Sequence, residues 1–95
     1  MTEAPPHLYT QQADIARLEA LIQRLPDEAV VRLDLNDGGR ITGTVAVRPT
    51  VQVFRGADGE EGFNAVVRID DRERPQVVHY LWLDRIVAVT ALGTA

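Results

Sequence analysis

The hydrophobic pattern of the chain changes period once, at Pro26. Before it, Ile15, Leu18, Ile22 and Leu25 recur at spacings of three, four and three, which puts them on one stripe of a helix. Arg17, Glu19 and Gln23 fall off that stripe. The pattern predicts a helix from Thr10 to about Leu25, capped by Thr10 and ended by Pro26. Asp14 near its start and Arg24 in its last turn both suit the helix dipole. So regular a stripe reads as a core-facing surface. Met1 to Tyr9, stiffened by Pro5-Pro6, reads as a loose lead-in.

After Pro26 the period is two. A first strand over about Glu28 to Leu35 turns Val31, Leu33 and Leu35 one way and Arg32 and Asp34 the other. Asn36-Asp37-Gly38-Gly39 supplies hairpin-turn chemistry. In the second strand Ile41, Gly43, Val45 and Val47 share a face, with Arg40, Thr42, Thr44 and Arg48 opposite. Gly43 leaves a gap in the apolar face, which suits a tight bend or the close approach of another backbone. Pro49 removes a ladder donor and should interrupt pairing. Val51 and Val53 resume the alternation before a glycine-rich acidic turn, Gly56 to Gly62. Phe63 to Asp70 follows as a strand with Phe63, Ala65, Val67 and Ile69 on one face, then a charged turn, Asp71 to Pro75. The last strands, Gln76 to Leu83 and Arg85 to Leu92, are apolar on both faces, as expected of strands covered twice.

Composition narrows the function classes. Fourteen acids against ten arginines, with no lysine, give a net charge of −4. Such a chain has no global field for coating nucleic acid, although local basic faces remain open. The absence of cysteine excludes disulfides, thiolate catalysis and sulfur-based zinc sites. Met1 to Pro6 lacks the pattern of a signal peptide, and no run reaches the roughly 18 apolar residues of a membrane span. A soluble, cytoplasmic protein without membrane partners is expected.

The ordered set of strands carries a resemblance. The first strand, the Asp37-Gly38-Gly39 turn, Ile41 and Gly43 are similar to the first half of the first Sm motif. Phe63 to Asp70 looks like its second half, where a Met-Asn pair opens the third strand. Leu83-Asp84-Arg85-Ile86-Val87-Ala88-Val89 resembles the end of the second Sm motif. More narrowly, the chain looks like a family of small uncharacterised proteobacterial proteins that carry a variant Sm-like fold. The resemblance implies a mostly β fold in a single domain over residues 1–95. An N-terminal α-helix (10–25) precedes a five-stranded, strongly bent antiparallel Sm-like, or SH3-like, barrel (28–92). It also implies RNA binding and association with further copies of the chain.

Departures from the motif fall where Sm-like proteins hold a nucleotide. The position that stacks on a base is Gly62, which has no side chain. The acid is Glu60, the amide is Asn64, and the Arg-Gly pair that closes the pocket is replaced by Trp82-Leu83. The chain between Gly43 and Asn64 is also longer than the family's, so a long hairpin is expected there. The residues left for RNA are Asn64 with Arg40, Arg48 and Arg32, arginines beside threonines being able to grip phosphate. Against that stands pairing of the same arginines with Asp34 and its neighbours as a solvated sheet face. Tyr80, Trp82 and Leu83 are candidates for an interface between copies, or for the core. His7 and His79 lie far apart, and no calcium-type oxygen spacing or nucleophile–base arrangement is present, so neither metal, cofactor nor catalysis is expected. The leading expectation is a non-catalytic Sm-like binding module that forms a dimer or other small oligomer, with RNA as its ligand. The alternative is a protein–protein interaction or structural module that has lost RNA binding.

Overall fold

The structure, a computed structural model, describes residues 5–94. Helix α1 (Gln12–Gln23) is followed by β1 (Ala29–Leu35), β2 (Arg40–Val45), β3 (Gln52–Arg55), β4 (Glu61–Asn64), β5 (Val66–Asp71), β6 (Val78–Trp82), one 3-10 turn (Leu83–Arg85) and β7 (Ile86–Thr94). Five strands form one antiparallel sheet in the order β6-β5-β2-β1-β7, and β3 and β4 form a separate two-stranded sheet. The fold is thus mostly β with one N-terminal helix and a bent sheet, but the barrel is not closed.

The sheet cannot be flat. β6 and β7 lie at its opposite edges, yet only three residues join them. Four Cα steps from Trp82 to Ile86 reach at most about 14 Å. The edges of a flat five-stranded sheet stand about 19 Å apart even when level with each other. Trp82 pairs with Val66 of β5, beyond the end of β2, and Ile86 with Leu35 of β1, level with the start of β2, which adds an offset along the strands. The sheet must curl until its two edges meet at the 3-10 turn. Leu83 in that turn is fully buried and donates its N–H to the Ala65 carbonyl at 2.9 Å.

Curling requires one close crossing, and Gly43 provides it. A Cβ at this position would stand 2.5 Å from the Asp70 carbonyl oxygen and 2.5 Å from Ile69 Cγ2 on β5. Inside the curve, Val31 and Leu33 of β1, Val45 of β2, Val67 and Ile69 of β5 and Leu81 of β6 are buried together. Leu18, Ile22 and Leu25 close this core from the helix side. α1 packs against β4 and the 3-10 turn.

Several expected boundaries shift for local reasons. The helix N-cap is Gln11 rather than Thr10, and no side chain caps it. Arg24 sits at the C-cap, and its guanidinium donates to the Val89 carbonyl of β7 at 2.8 Å, tying helix to sheet. The segment expected as one strand from Phe63 to Asp70 is broken at Ala65. Its N–H goes to the Asn64 side chain at 2.8 Å instead of into a ladder. That break lets the chain leave the small hairpin and enter the main sheet. The long hairpin expected from the extra residues after Gly43 is the β3–β4 pair, detached because β2 ends at Val45, four residues ahead of Pro49.

Gly43→Val should therefore lower stability by about 1–3 kcal/mol, the usual cost of overpacking against atoms that cannot move aside. Chemical denaturation of the wild type and the variant measures it, and an unchanged midpoint would show that β2 and β5 do not cross closely.

Candidate functional site

The positions that the Sm-like motif would assign to a nucleotide are filled by the chain itself. Tyr9 pairs antiparallel with Phe63, its N–H donating to the Phe63 carbonyl at 2.9 Å and accepting the Phe63 N–H on its own carbonyl at 2.8 Å. β4 is thereby held between β3 and the segment before the helix. Leu8 lies over Gly62, where an added Cβ would stand 2.7 Å from Leu8 Cβ. Asn64 is 0% exposed. Its Nδ2 donates to the His7 carbonyl at 2.9 Å while Oδ1 accepts the Ala65 N–H. Gly62 thus serves here as the floor for Leu8, and Asn64 ties the segment before the helix to the break between β4 and β5.

Tyr9 continues the same anchorage. Its hydroxyl donates to Asp84 Oδ2, in the 3-10 turn, at 3.0 Å. Burial, the Asp84 hydrogen bond and the Asp84 charge push its pKa up to about 12. The phenol therefore stays protonated, as a donor, at any ordinary pH. Asp84 Oδ1 is buried and has no partner among the described residues.

The three candidate arginines do not form one cluster. Arg40 pairs with Asp34 across β1 and β2 at 2.8 Å. Arg32 lies opposite Thr42 and Thr90 on the same outer face, with Nη2 3.5 Å from Thr90 Oγ1 and Nε buried without a partner among the described residues. Arg48 lies beyond the end of β2, where its backbone N–H donates to Asp27. Its exposed side chain forms no ion pair with any described residue. The structure instead sets Arg48 beside Arg68 and Tyr80, lining a shallow groove of about 250 Å³ with Val47, Thr50 and Gln52. Arg68 did not stand out in the sequence because strand alternation alone cannot say which loop folds back over a strand.

The three aromatic-strand candidates separate in the same way. Leu83 belongs to the core. Trp82 is 9% exposed and meets Phe54 of β3 edge-to-face, with ring centroids 5.2 Å apart, so it pins the small hairpin to the main sheet. Tyr80 is 58% exposed on the outer face of β6.

One further polar cluster closes the β5–β6 turn. Asp71 is buried at the end of β5, and its Oδ1 accepts the backbone N–H groups of Glu73 and Arg74, each at 2.8 Å. Oδ2 lies 2.8 Å from His79 Nε2, and an ionised carboxylate only accepts, so Nε2 carries the hydrogen. The His79 hydrogen bond, then that of Arg74, hold the Asp71 carboxyl at about 2, below its usual 3.8. Asp70, its chain neighbour, faces outward and pairs with Arg68. An Asp–His pair can orient a catalytic base, but here one carboxylate oxygen holds the turn backbone and the other ties it to β6 through His79. No group of three or more potential metal ligands occurs among the described residues. No helix is long and apolar enough to cross a membrane.

Over residues 2–92 the sequence matches the family described as a domain of unknown function, DUF3247. The chain belongs to that family. Its structure is similar to the crystal structure of XC5848 from Xanthomonas campestris, described as adopting a novel variant of the Sm-like motif. The TM-score is 0.86 at 46% identity, covering 97% of this chain and 99% of that one. No curated protein matches the sequence. The resemblance read from the strand order, to a family of variant Sm-like proteins, is borne out.

Two measurements check the contacts described above. Gly62→Val should drive Leu8 off the hairpin. Hydrogen exchange should then show lost amide protection at Tyr9 and Phe63 while the amides of β1 and β2 stay protected; retained protection at Tyr9 would mean that the segment does not rest on Gly62. Asp71 provides a pH test. Its pKa is lower in the folded chain than in the unfolded one, so its stabilisation is present above about pH 4 and is lost as pH falls from 3.8 towards about 2. Asp71→Ala should lower stability at neutral pH and flatten that part of the acid limb, as followed by denaturation midpoints between pH 2 and 5.

Proposed function

We propose that the chain is a non-catalytic Sm-like binding module that assembles with further copies of itself into a dimer or other small oligomer. The observation that carries this reading is the pair of unfilled sheet edges. β6 and β7 each pair on one side only, and each carries exposed apolar side chains: Val78 and Tyr80 on β6, Val87 and Leu92 on β7. A free strand edge with apolar flanks is a template for another strand, and assembly removes that hazard. Family membership and the Sm-like fold support a binding role over an enzymatic one. The additional β3–β4 hairpin favours a small assembly over a complete ring.

A second reading keeps RNA as a ligand. It is supported by the side-by-side arginines at Arg48 and Arg68 and does not use the motif position at Gly62. Without a side chain there to stack on a base, such binding is weak, salt-sensitive and without strong preference for uridine. The alternative, a protein–protein interaction or structural module that has lost RNA binding, is supported by the net charge of −4 and by the cover that Leu8 gives Gly62.

Sedimentation equilibrium at tens of micromolar, the weaker end of common interface affinities, tests the assembly. The wild type should sediment above its monomer mass. Val87→Glu combined with Leu92→Glu should shift it towards monomer while circular dichroism shows the fold retained. A wild type that stays monomeric at those concentrations removes the proposal.

A further inference from the structure

The groove beside Tyr80 has features that neither the motif nor the sheet edges explain. It lies where the connection from β2 to β3 folds back over the outer face of β5 and β6. Arg68 and Tyr80 are directly opposed across those two strands. Arg48, Thr50 and Gln52 approach from the connection. Among the described residues no acidic one lines it, in a protein whose acids outnumber its arginines fourteen to ten. Arg48 has no ion-pair partner among the described residues. Arg68 is engaged by Asp70 through Nε, at 3.0 Å, with both side chains over two-fifths exposed. An ion pair that exposed is worth only about 0–1 kcal/mol and gives way easily to a competing anion.

Shape limits the occupant. At about 250 Å³ the groove falls below the roughly 300–1,000 Å³ of pockets that enclose a small molecule. It is an open trough, suited to a chain lying across it. A second hollow of about 340 Å³ on the far side of the same connection shares Arg48, Pro49 and Thr50. It also contains Glu19, so the basic character is confined to the Tyr80 side. A tyrosine face beside two arginines, with hydroxyl and amide groups next to them, combines a stacking platform with phosphate contacts. That is how single-stranded nucleic acid is held without reading its sequence.

We infer that this groove is a binding site for single-stranded RNA, with Tyr80 stacking on one base and Arg48 and Arg68 contacting the flanking phosphates. The inference rests on the reading of the chain as a binding module and gives its RNA-binding form a place. It is separate from the position that the Sm-like motif would use, which lies under Leu8. Recognition is by backbone and stacking, so the site tolerates any base.

The test is fluorescence anisotropy with a short labelled single-stranded RNA, one probe of mixed sequence and one of polyuridine, between about 50 and about 200 mM salt. The wild type should bind both probes alike, and binding should weaken as salt rises. Arg48→Ala and Arg68→Ala should each weaken binding and reduce the slope of log affinity against log salt by about 0.7, the value for one phosphate contact on a single strand. Tyr80→Ala should weaken binding by about 5- to 150-fold with the slope unchanged, and Tyr80→Phe should retain it. Arg17→Ala, on α1 and outside the groove, should leave it unaltered. No binding at the lowest salt, with an acidic peptide bound or not, overturns the inference. So does binding that is indifferent to Tyr80 and Arg68 or as sensitive to Arg17. Sedimentation of the same samples keeps the two proposals apart: a protein that self-associates without binding RNA sinks only the groove, and a monomer that binds RNA sinks only the assembly.

Discussion

Everything in this fold follows from a three-residue connection between strands that belong to opposite edges of one sheet. Leu83 to Arg85 cannot span a flat sheet, so the sheet curls, and the curl creates the interior that the small domain needs. Two local features make the curl possible. Gly43 lets β2 lie against the backbone of β5, and Leu83 buries its side chain at the seam while its N–H reaches Ala65. The same geometry stops short of closure. β6 and β7 converge at the turn without pairing, and the outer edge of each stays unpaired among the described residues.

The segment ahead of the helix is part of this architecture. Tyr9 adds a single bridge to the β3–β4 hairpin, and Asn64 holds His7. A buried amide of this kind must satisfy both its oxygen and its nitrogen, and Asn64 does so with the N–H of its neighbour Ala65 and the carbonyl of the distant His7. The polar residue that a sequence motif presents as a ligand contact is thus a structural joint here. Asp71 is a second instance: a carboxylate that looks available in the sequence spends both oxygens on closing a turn.

Charge is distributed with the same economy. Six of the ten arginines lie within ion-pair distance of an acid: Arg17 of Asp14, Arg40 of Asp34, Arg55 of Glu61, Arg68 of Asp70, Arg74 of Asp71 and Arg85 of Asp37. Individually such pairs add little stability. Their charges offset one another locally, so the local potential depends on the arginines without a partner. Arg48 is one of them, and it stands at the groove beside Tyr80.

Most of the elements and their order were legible in the amino-acid sequence, the break at Ala65 apart. The three–four–three spacing of Ile15, Leu18, Ile22 and Leu25 specifies a helix, because only that period gathers them on one face. The alternation through Val31, Leu33 and Leu35 specifies a strand, and the order of turns carried the family resemblance. The sequence also marked Gly43 as a close approach, since a glycine on an apolar strand face leaves a gap that something must fill. Only the tertiary structure decided what met what. Long-range pairing put Leu8 over Gly62, set Phe54 against Trp82, and folded the Arg48 connection across Arg68 and Tyr80. Strand alternation gives each side chain a face but not a neighbour. The neighbours here come from residues separated by twenty or more positions, brought together by the curl of the sheet and not by any local preference.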